Sequence, residues 1–237
     1  MPDSLVLKSH RVHFQYMIMS ASSTTVQADE FLKILENRGE AARRFSNGPT
    51  VVVGNVIIRP DQLKLPKPEN DEGFVIGFEN INFLGRVLVE GMHSITLRIR
   101  ETNFHQGFKI GGISARWIIL RNCATPNLMF NKTSCSQLEL EGIRGFEGPD
   151  SFDQDPICDW IQMRDLKVSE RAYLKNVATD KLDISDGQTC FQAPSVTVDD
   201  PAFALQFHLA GIKVNISTEL ARKMLADPEL AKVALSR

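Results

Sequence analysis

Apolar and polar residues alternate through residues 74–140, and the alternation returns at a fixed spacing. Written in rows of 21, Phe74 falls over Ile95, Ile76 over Leu97 over Ile118, and Phe78 over Ile99 over Leu120. Val87 falls over Phe108 over Met129, Val89 over Ile110, and Gly91 over Gly112. A period of two marks a strand with one buried face. Strands that recur at a constant interval suit a parallel β-solenoid, in which each turn lays its hydrogen bonds and inward side chains on the next. Gly91 and Gly112 then occupy equivalent corners, where a sharp bend favours a residue without Cβ. The competing architecture is a β-sandwich, but Asn-Gly occurs only at Asn47-Gly48 and Asp-Gly only at Asp186-Gly187. The expected fold is mostly β: a parallel β-helix of about 21 residues per coil with N-terminal and C-terminal capping helices.

The rest of the chain divides around that core as one domain, 1–237. Residues 1–49 read as an N-terminal cap. Within it, Val12, Phe14, Tyr16 and Ile18 alternate as in a strand, and residues 27–46 carry helical spacing through Ala28, Phe31, Leu32, Leu35, Ala42 and Phe45. An amphipathic helix is a usual cover for the open end of a coil. Residues 50–216 form the solenoid. TVVVGNVII at 50–58 is apolar on both parities and predicts one or two buried strands, with Val53 and Ile57 one row below Phe74 and Phe78. Residues 60–71 hold three prolines among charged residues and predict an exposed loop. The register slips by one after Leu120, since Leu138 and Leu140 fall one position short of the next full row. An insert at 142–158, with Gly142, Gly145, Gly148, Pro149 and Pro156, breaks the pattern. It resumes with Ile161 and Met163 over Leu182 and Ile184, then Val196, Val198, Leu205, Phe207 and Leu209, then Ile212, Val214 and Ile216. Residues 217–237 predict a helical C-terminal cap, with Ser217 as one N-cap and Asp227-Pro228 as a second start.

Composition changes this picture little. Hydrophobic content of 43% and charged content of 24% are ordinary for a globular chain. A formal net charge of −2 argues against general binding to a phosphate backbone, so nucleic acid is an unlikely partner. The charge is uneven: residues 147–200 carry 12 acids and 5 bases, the remainder 17 acids and 22 bases. An acid-rich coil also raises DNA mimicry, for which that excess of acids is thin. No apolar run is long enough to span a membrane, and the N-terminus, interrupted by His10, Arg11 and His13, does not read as a signal peptide. Cys123, Cys135, Cys158 and Cys190 show no CxxC spacing, which favours buried free thiols and a reducing, cytoplasmic compartment.

Three groups of residues are candidates for chemistry. Glu147, Asp150, Asp153, Asp155 and Asp159 crowd one short segment that contains no Lys or Arg. Crowded oxygen ligands in a loop suit calcium, so Asp150, Asp153, Asp155 and Asp159 are the candidate metal ligands, although the spacing is not that of an EF-hand. The plainer account is a solvated loop. Second, the period sets Glu79, Arg100 and Arg121 in one ladder and Asn82 with Asn103 in another, with Arg98 and Arg116 on the same flank. Arg100, Arg121 and Trp117 (or Phe104) then form a candidate binding patch for an acidic partner or a uronic sugar. The plainer account is surface charge and Asn stacks that support the coil. Third, His10, His13, His93 and His105 have no carboxylate or cysteine at ligand spacing and read as surface or structural residues. No P-loop, GxGxxG, GxSxG or HExxH is present.

The rows at 50–216 resemble right-handed parallel β-helix proteins in general, the group that includes pectate lyases, polygalacturonases and noncatalytic solenoids. They are similar also to pentapeptide-repeat coils, but depart from the shorter period of those coils and from the small residue that precedes each central Leu or Phe there. Two functions follow as expectations. One is a noncatalytic scaffold that binds a protein partner, or a second copy as a dimer, through a coil face or a helical end. The other, which the resemblance implies, is a small carbohydrate-active or carbohydrate-binding protein using Asp150, Asp153 and Asp155 as acid, base or ion ligands, with Arg144 or Arg164 facing the substrate. The Asp-rich polygalacturonase pattern is missing, and Arg98-Ile99-Arg100 is the nearest string to its Arg-Ile-Lys.

Overall fold

The computed structural model describes residues 24–36, 50–63, 74–146, 158–175, 177, 179–184, 189–191, 195–198, 204–205, 207, 218–226 and 228. Its strands are β1 (Thr24–Gln27), β2 (Thr50–Val53), β3 (Val56–Ile58), β4 (Phe74–Glu79), β5 (Ile81–Phe83), β6 (Val87–Glu90), β7 (His93–Arg100), β8 (Asn103–Phe104), β9 (Phe108–Gly111), β10 (Ser114–Arg121), β11 (Asn127–Glu141), β12 (Cys158–Lys175), β13 (Thr179–Asp183), β14 (Cys190–Phe191) and β15 (Ser195–Val198). Helix α1 spans Ala28–Glu36 and helix α2 Thr218–Leu225.

The chain is mostly β, and its described strand pairs are parallel. One sheet runs β1-β2-β5-β8, the other β3-β6-β9-β11-β10-β7-β4, with β12 on β11 and β13, β14 and β15 on β12. The long strands β11 and β12 join two regions of the larger sheet. β11 pairs with β9 through Leu128–Asn131 and with β10 through Ser114↔Ser134 to Arg121↔Glu141.

Pairing follows the alternation read from the sequence. Phe74 pairs with Ile95, Ile76 with Leu97 and Phe78 with Ile99; Leu97 pairs with Ile118 and Ile99 with Leu120; Ile118 pairs with Leu138 and Leu120 with Leu140. Three expectations need correction. Phe108 pairs with Leu128, not with Met129, because the one-residue slip has already occurred by that strand. Residues 50–58 do not lie under β4: β2 pairs with β5 and β3 with β6, in two different sheets. The segment from Pro60 adds length, so Val56 meets Val87 rather than a residue one regular row on. Ala204, Leu205 and Phe207 are helical, not extended, and Ala204 and Phe207 are buried; alternate apolar residues fit one side of a short helix as well as one face of a strand. The expected strands at 12–18 and 212–216, and helical positions beyond Glu36 and Pro228, lie outside the described residues.

The bends are built by left-handed backbone. After β4, β7, β10 and β11 come Asn80, Glu101, Asn122 and Gly142, with φ of 59°, 48°, 52° and 63°. The amide of each donates to a carbonyl of the next row: Asn80 to Arg100 (3.1 Å), Glu101 to Arg121 (2.9 Å), Asn122 to Glu141 (2.8 Å) and Gly142 to Lys175 (2.9 Å). Hydrogen bonding therefore continues through the corner, which offsets the roughly 1–2 kcal/mol cost of a left-handed non-glycine residue. A second column of bends is formed by Gly91, Gly112, Lys132 and Asp165. The predicted glycine corners are two of its four members.

The interior is lined by the inward residues of both sheets. Ile95, Leu97, Ile99, Ile110, Ile118, Phe130, Leu140, Ile161 and Met163 are fully buried. Phe104, at 1% exposure, lies between Phe83 (5.5 Å, stacked) and Phe108 (4.4 Å, stacked). Helix α1 closes this ring column. Its Phe31 meets Phe83 and Phe78 edge-on at 5.2 and 6.0 Å, and Ile34 and Leu35 are buried beside it.

Candidate interaction face

Residues that alternate with the buried columns lie on the outer side of β4, β7, β10, β11, β12 and β15, in three files. One file runs Glu79, Arg100, Arg121, Glu141, Lys175. The next runs Gly77, Arg98, Ile119, Glu139, Tyr173, Thr197. The third runs Val75, Thr96, Trp117, Gln137, Arg171, and in it Thr96 is itself covered. The sequence-predicted binding residues Arg100, Arg121 and Trp117 thus share one sheet surface with Arg98. Phe104 does not join them, since its ring is in the core.

A bulge sets the centre of this face. β7 and β10 shift register between Ala115 and Trp117, so Arg116 is the extra residue. Bulges turn side chains away from the regular alternation. Here the Arg116 guanidinium sits over the Trp117 ring at 5.3 Å, and Arg98, from the neighbouring strand, lies over the same ring at 5.2 Å. Trp117 is half-buried rather than exposed.

Charge on the face is compensated in one part and not in the other. Arg121 pairs with Glu139 and, at 3.6 Å, with Glu141, while Lys175 lies 3.9 Å from Glu141. The hydrogen bond to Glu139 pushes the Arg121 pKa above its ordinary value. Among the described residues, Arg98 and Arg100 have no carboxylate partner. Arg100 is exposed and Arg98 half-buried.

The other candidates are placed as follows. Glu147, Asp150, Asp153 and Asp155 lie outside the described residues. Asp159 and Arg164 are both exposed on β12, and Arg164 is 4.0 Å from Asp183, which also accepts a hydrogen bond from Gln162 at 3.1 Å. Arg144 forms a bridge with Ala124 and is exposed. Among the described residues, no group of three or more His, Cys, Asp or Glu is arranged to hold a metal ion. His93 is exposed, and His105 stacks on Phe146 at 4.6 Å, with burial lowering its pKa. Cys123, Cys135 and Cys158 are buried free thiols, which desolvation pushes up to about 12, about 12 and about 11. The predicted Asn pair is present: Asn103 Nδ2 donates to Asn82 Oδ1 at 2.6 Å.

Sequence reasoning missed one surface feature, a shallow cleft of about 300 Å³ between Asp61, Lys109 and Asn131, beside the Arg59–Glu90 ion pair. Its signal was the Gly91/Gly112 column, which leaves the surface without side chains there. No described helix is long and apolar enough to cross a membrane. No protein-family model matches the chain, and neither the curated proteins nor the solved structures searched contain a match.

Proposed function

We propose that the chain is a β-solenoid, its turns repeating at the Phe74-to-Ile95 interval, that works as a noncatalytic interaction scaffold, docking a protein partner on the outward face of β4, β7, β10, β11 and β12. One observation carries this reading. Trp117, held under Arg98 and Arg116, shares one sheet surface with Arg100, which lies two files away opposite Arg121 and has no carboxylate partner among the described residues, and the other side of these strands is buried. Interfaces draw most of their energy from a few Trp, Tyr and Arg residues seated on rigid elements, and strands fixed by an apolar interior supply that rigidity without ordering cost on binding. The row-on-row pairing supports the solenoid, and the buried free thiols suit a reducing compartment.

A photocrosslinker at position 119, on this face, compared with one at position 88, on β6, tests the scaffold. We expect a discrete protein adduct at 119 alone, lost when Arg100→Glu and Arg121→Glu are combined. Equal labelling from both positions would remove this face as the docking site.

A second reading, a carbohydrate-active or carbohydrate-binding β-helix, is favoured by exposed Asp159 and Arg164 on β12, where the acidic segment enters the sheet. It requires an Asp153→Asn or Asp159→Asn variant to lose polygalacturonate binding or turnover without unfolding. If Asp150, Asp153, Asp155 and Asp159 hold calcium, millimolar calcium raises the unfolding temperature of the native chain by several degrees and leaves that of Asp153→Asn unchanged.

A further inference from the structure

The uncompensated part of the face has a geometry that selects the chemistry of its occupant. Arg98 and Arg100 are two residues apart on one strand, so their side chains leave the same side of β7 about 6.6–6.8 Å apart at their bases. Trp117 and Ile119 have the same spacing on β10, one strand away, and are half-buried. Gly77 precedes Arg98 in its file and contributes no side chain that would shield the guanidinium from the β4 side. Beyond β10 the pattern changes: Glu139 and Glu141 satisfy Arg121, and Lys175 satisfies Glu141. Among the described residues, β7 therefore carries two neighbouring guanidiniums without a carboxylate partner, with Ile119 opposite Arg98 on β10; Arg171, on β12, is a further one on this face.

Resting on the protein-scaffold reading, we propose that this part of the face binds an extended acidic peptide segment whose carboxylates alternate, one on Arg98 and the next-but-one on Arg100. An extended chain presents every second side chain on one side at the same repeat as β7, so an acid-x-acid segment lying along the strand matches both guanidiniums. Its intervening side chains leave the opposite side of the extended chain, away from the sheet. Charge complementarity favours an anion, because neither guanidinium is in an ion pair among the described residues, Glu79 lying opposite Arg100 on β4 without pairing to it, and charge-assisted bonds are among the stronger polar ones. The peptide is favoured over an anionic sugar because the Trp117 ring, the platform on which a sugar would stack, already carries two guanidinium groups.

The test uses the full chain and four fluorescein-labelled probes: a decapeptide with glutamates two apart, one of the same composition with its glutamates adjacent, a lysine counterpart, and polygalacturonate. Fluorescence polarisation is read for the native chain, for Arg98→Glu combined with Arg100→Glu, and for Lys109→Glu as a control on another surface, with circular dichroism confirming that each variant is folded. The alternating peptide is expected to bind best, to weaken as salt is raised, to lose about tenfold or more affinity (about 1.4 kcal/mol) in the double variant, and to be indifferent to Lys109→Glu. Binding of the lysine peptide that is lost on Trp117→Ala, with none of the acidic peptides, overturns the acidic occupant and leaves the docking face standing. Polygalacturonate binding in place of the peptides, lost in the double variant, overturns the peptide and the protein scaffold together in favour of a carbohydrate ligand. Absence of binding by every probe overturns both.

Discussion

The two sides of strands β7, β10 and β11 obey different rules. On the inner side Leu97, Ile118 and Leu138 pair in register at 0–1% exposure, and all three are apolar. On the outer side the same three rows present Arg98, Ile119 and Glu139, with no chemical type repeated. The inner side is constrained by burial, where any polar group without a partner costs free energy. The outer side is free of that demand, so its residues report on something other than stability. That contrast makes the outer side the place to look for function.

Four measurements sharpen or break the contrast, taken from the largest effect down. Phe104→Ala on the inner side removes the middle of a three-ring stack and is expected to cost about 3–5 kcal/mol in urea unfolding; a loss under about 1 kcal/mol would mean that the stack is loosely packed. Alkaline pH comes next. Cys123 and Cys135 are held at about 12 in the folded chain, against about 9 for a free thiol. Above pH 9 the unfolded chain sheds protons that the folded chain retains, so stability falls between pH 9 and 12. Thiol-reagent titration of the native chain at mildly alkaline pH should leave Cys123, Cys135 and Cys158 unmodified, and rapid labelling of any of them would contradict their burial. Third, Gly112→Ala at the left-handed bend is expected to cost about 1–2 kcal/mol, measured as a drop in unfolding midpoint, because a Cβ is disfavoured at φ 59° even though it would meet nothing nearer than the Gly91 nitrogen at 3.8 Å. Last, Arg121→Ala on the outer side breaks its pairs with Glu139 and Glu141 but is expected to change stability by only about 0–1 kcal/mol, since the pairs lie at the solvent surface. A larger loss would make the outer side structural, and would weaken the case for its being a docking surface.

Much of the inner side is legible in the sequence. Alternation finds the strands from Phe74 onward, and the repeat names their partners, because a parallel register carried through a buried face must set like on like. Legibility fails where the spacing changes. The period assigns residues 50–58 to the wrong neighbours, since nothing in TVVVGNVII tells how much chain the following proline-rich segment consumes. It gives Phe108 Met129 rather than Leu128, because the missing residue leaves no mark of its own. The bends are only half visible: Gly91 and Gly112 stand out, whereas Lys132, Asp165 and Glu101 reach the same left-handed backbone without a distinctive side chain. On the outer side the period sets Arg100 and Arg121 in one file, with Trp117 two files away on the same sheet surface. It cannot show the bulge at Arg116, nor that Arg121 has carboxylate partners where Arg98 and Arg100 have none described, because those depend on side-chain reach. Phe104 reads equally well as part of the surface patch although its ring is stacked in the core; in a short stretch rich in polar residues its parity is ambiguous.

The unequal intervals between paired rows also say where this architecture tolerates change. Val89 pairs with Ile110 one full row on and Phe108 with Leu128 one residue short of a row, whereas the stretches from Ile58 to Val89 and from Leu128 to Ile161 are much longer, yet all four pairs belong to the same run of strands. Added length between these rows therefore leaves the pairing on either side intact. For an engineer, the connections that precede β4 and β12 in the chain are natural ports: a reporter, an affinity tag or a foreign epitope spliced there enters a stretch where the interval between paired rows is already longer.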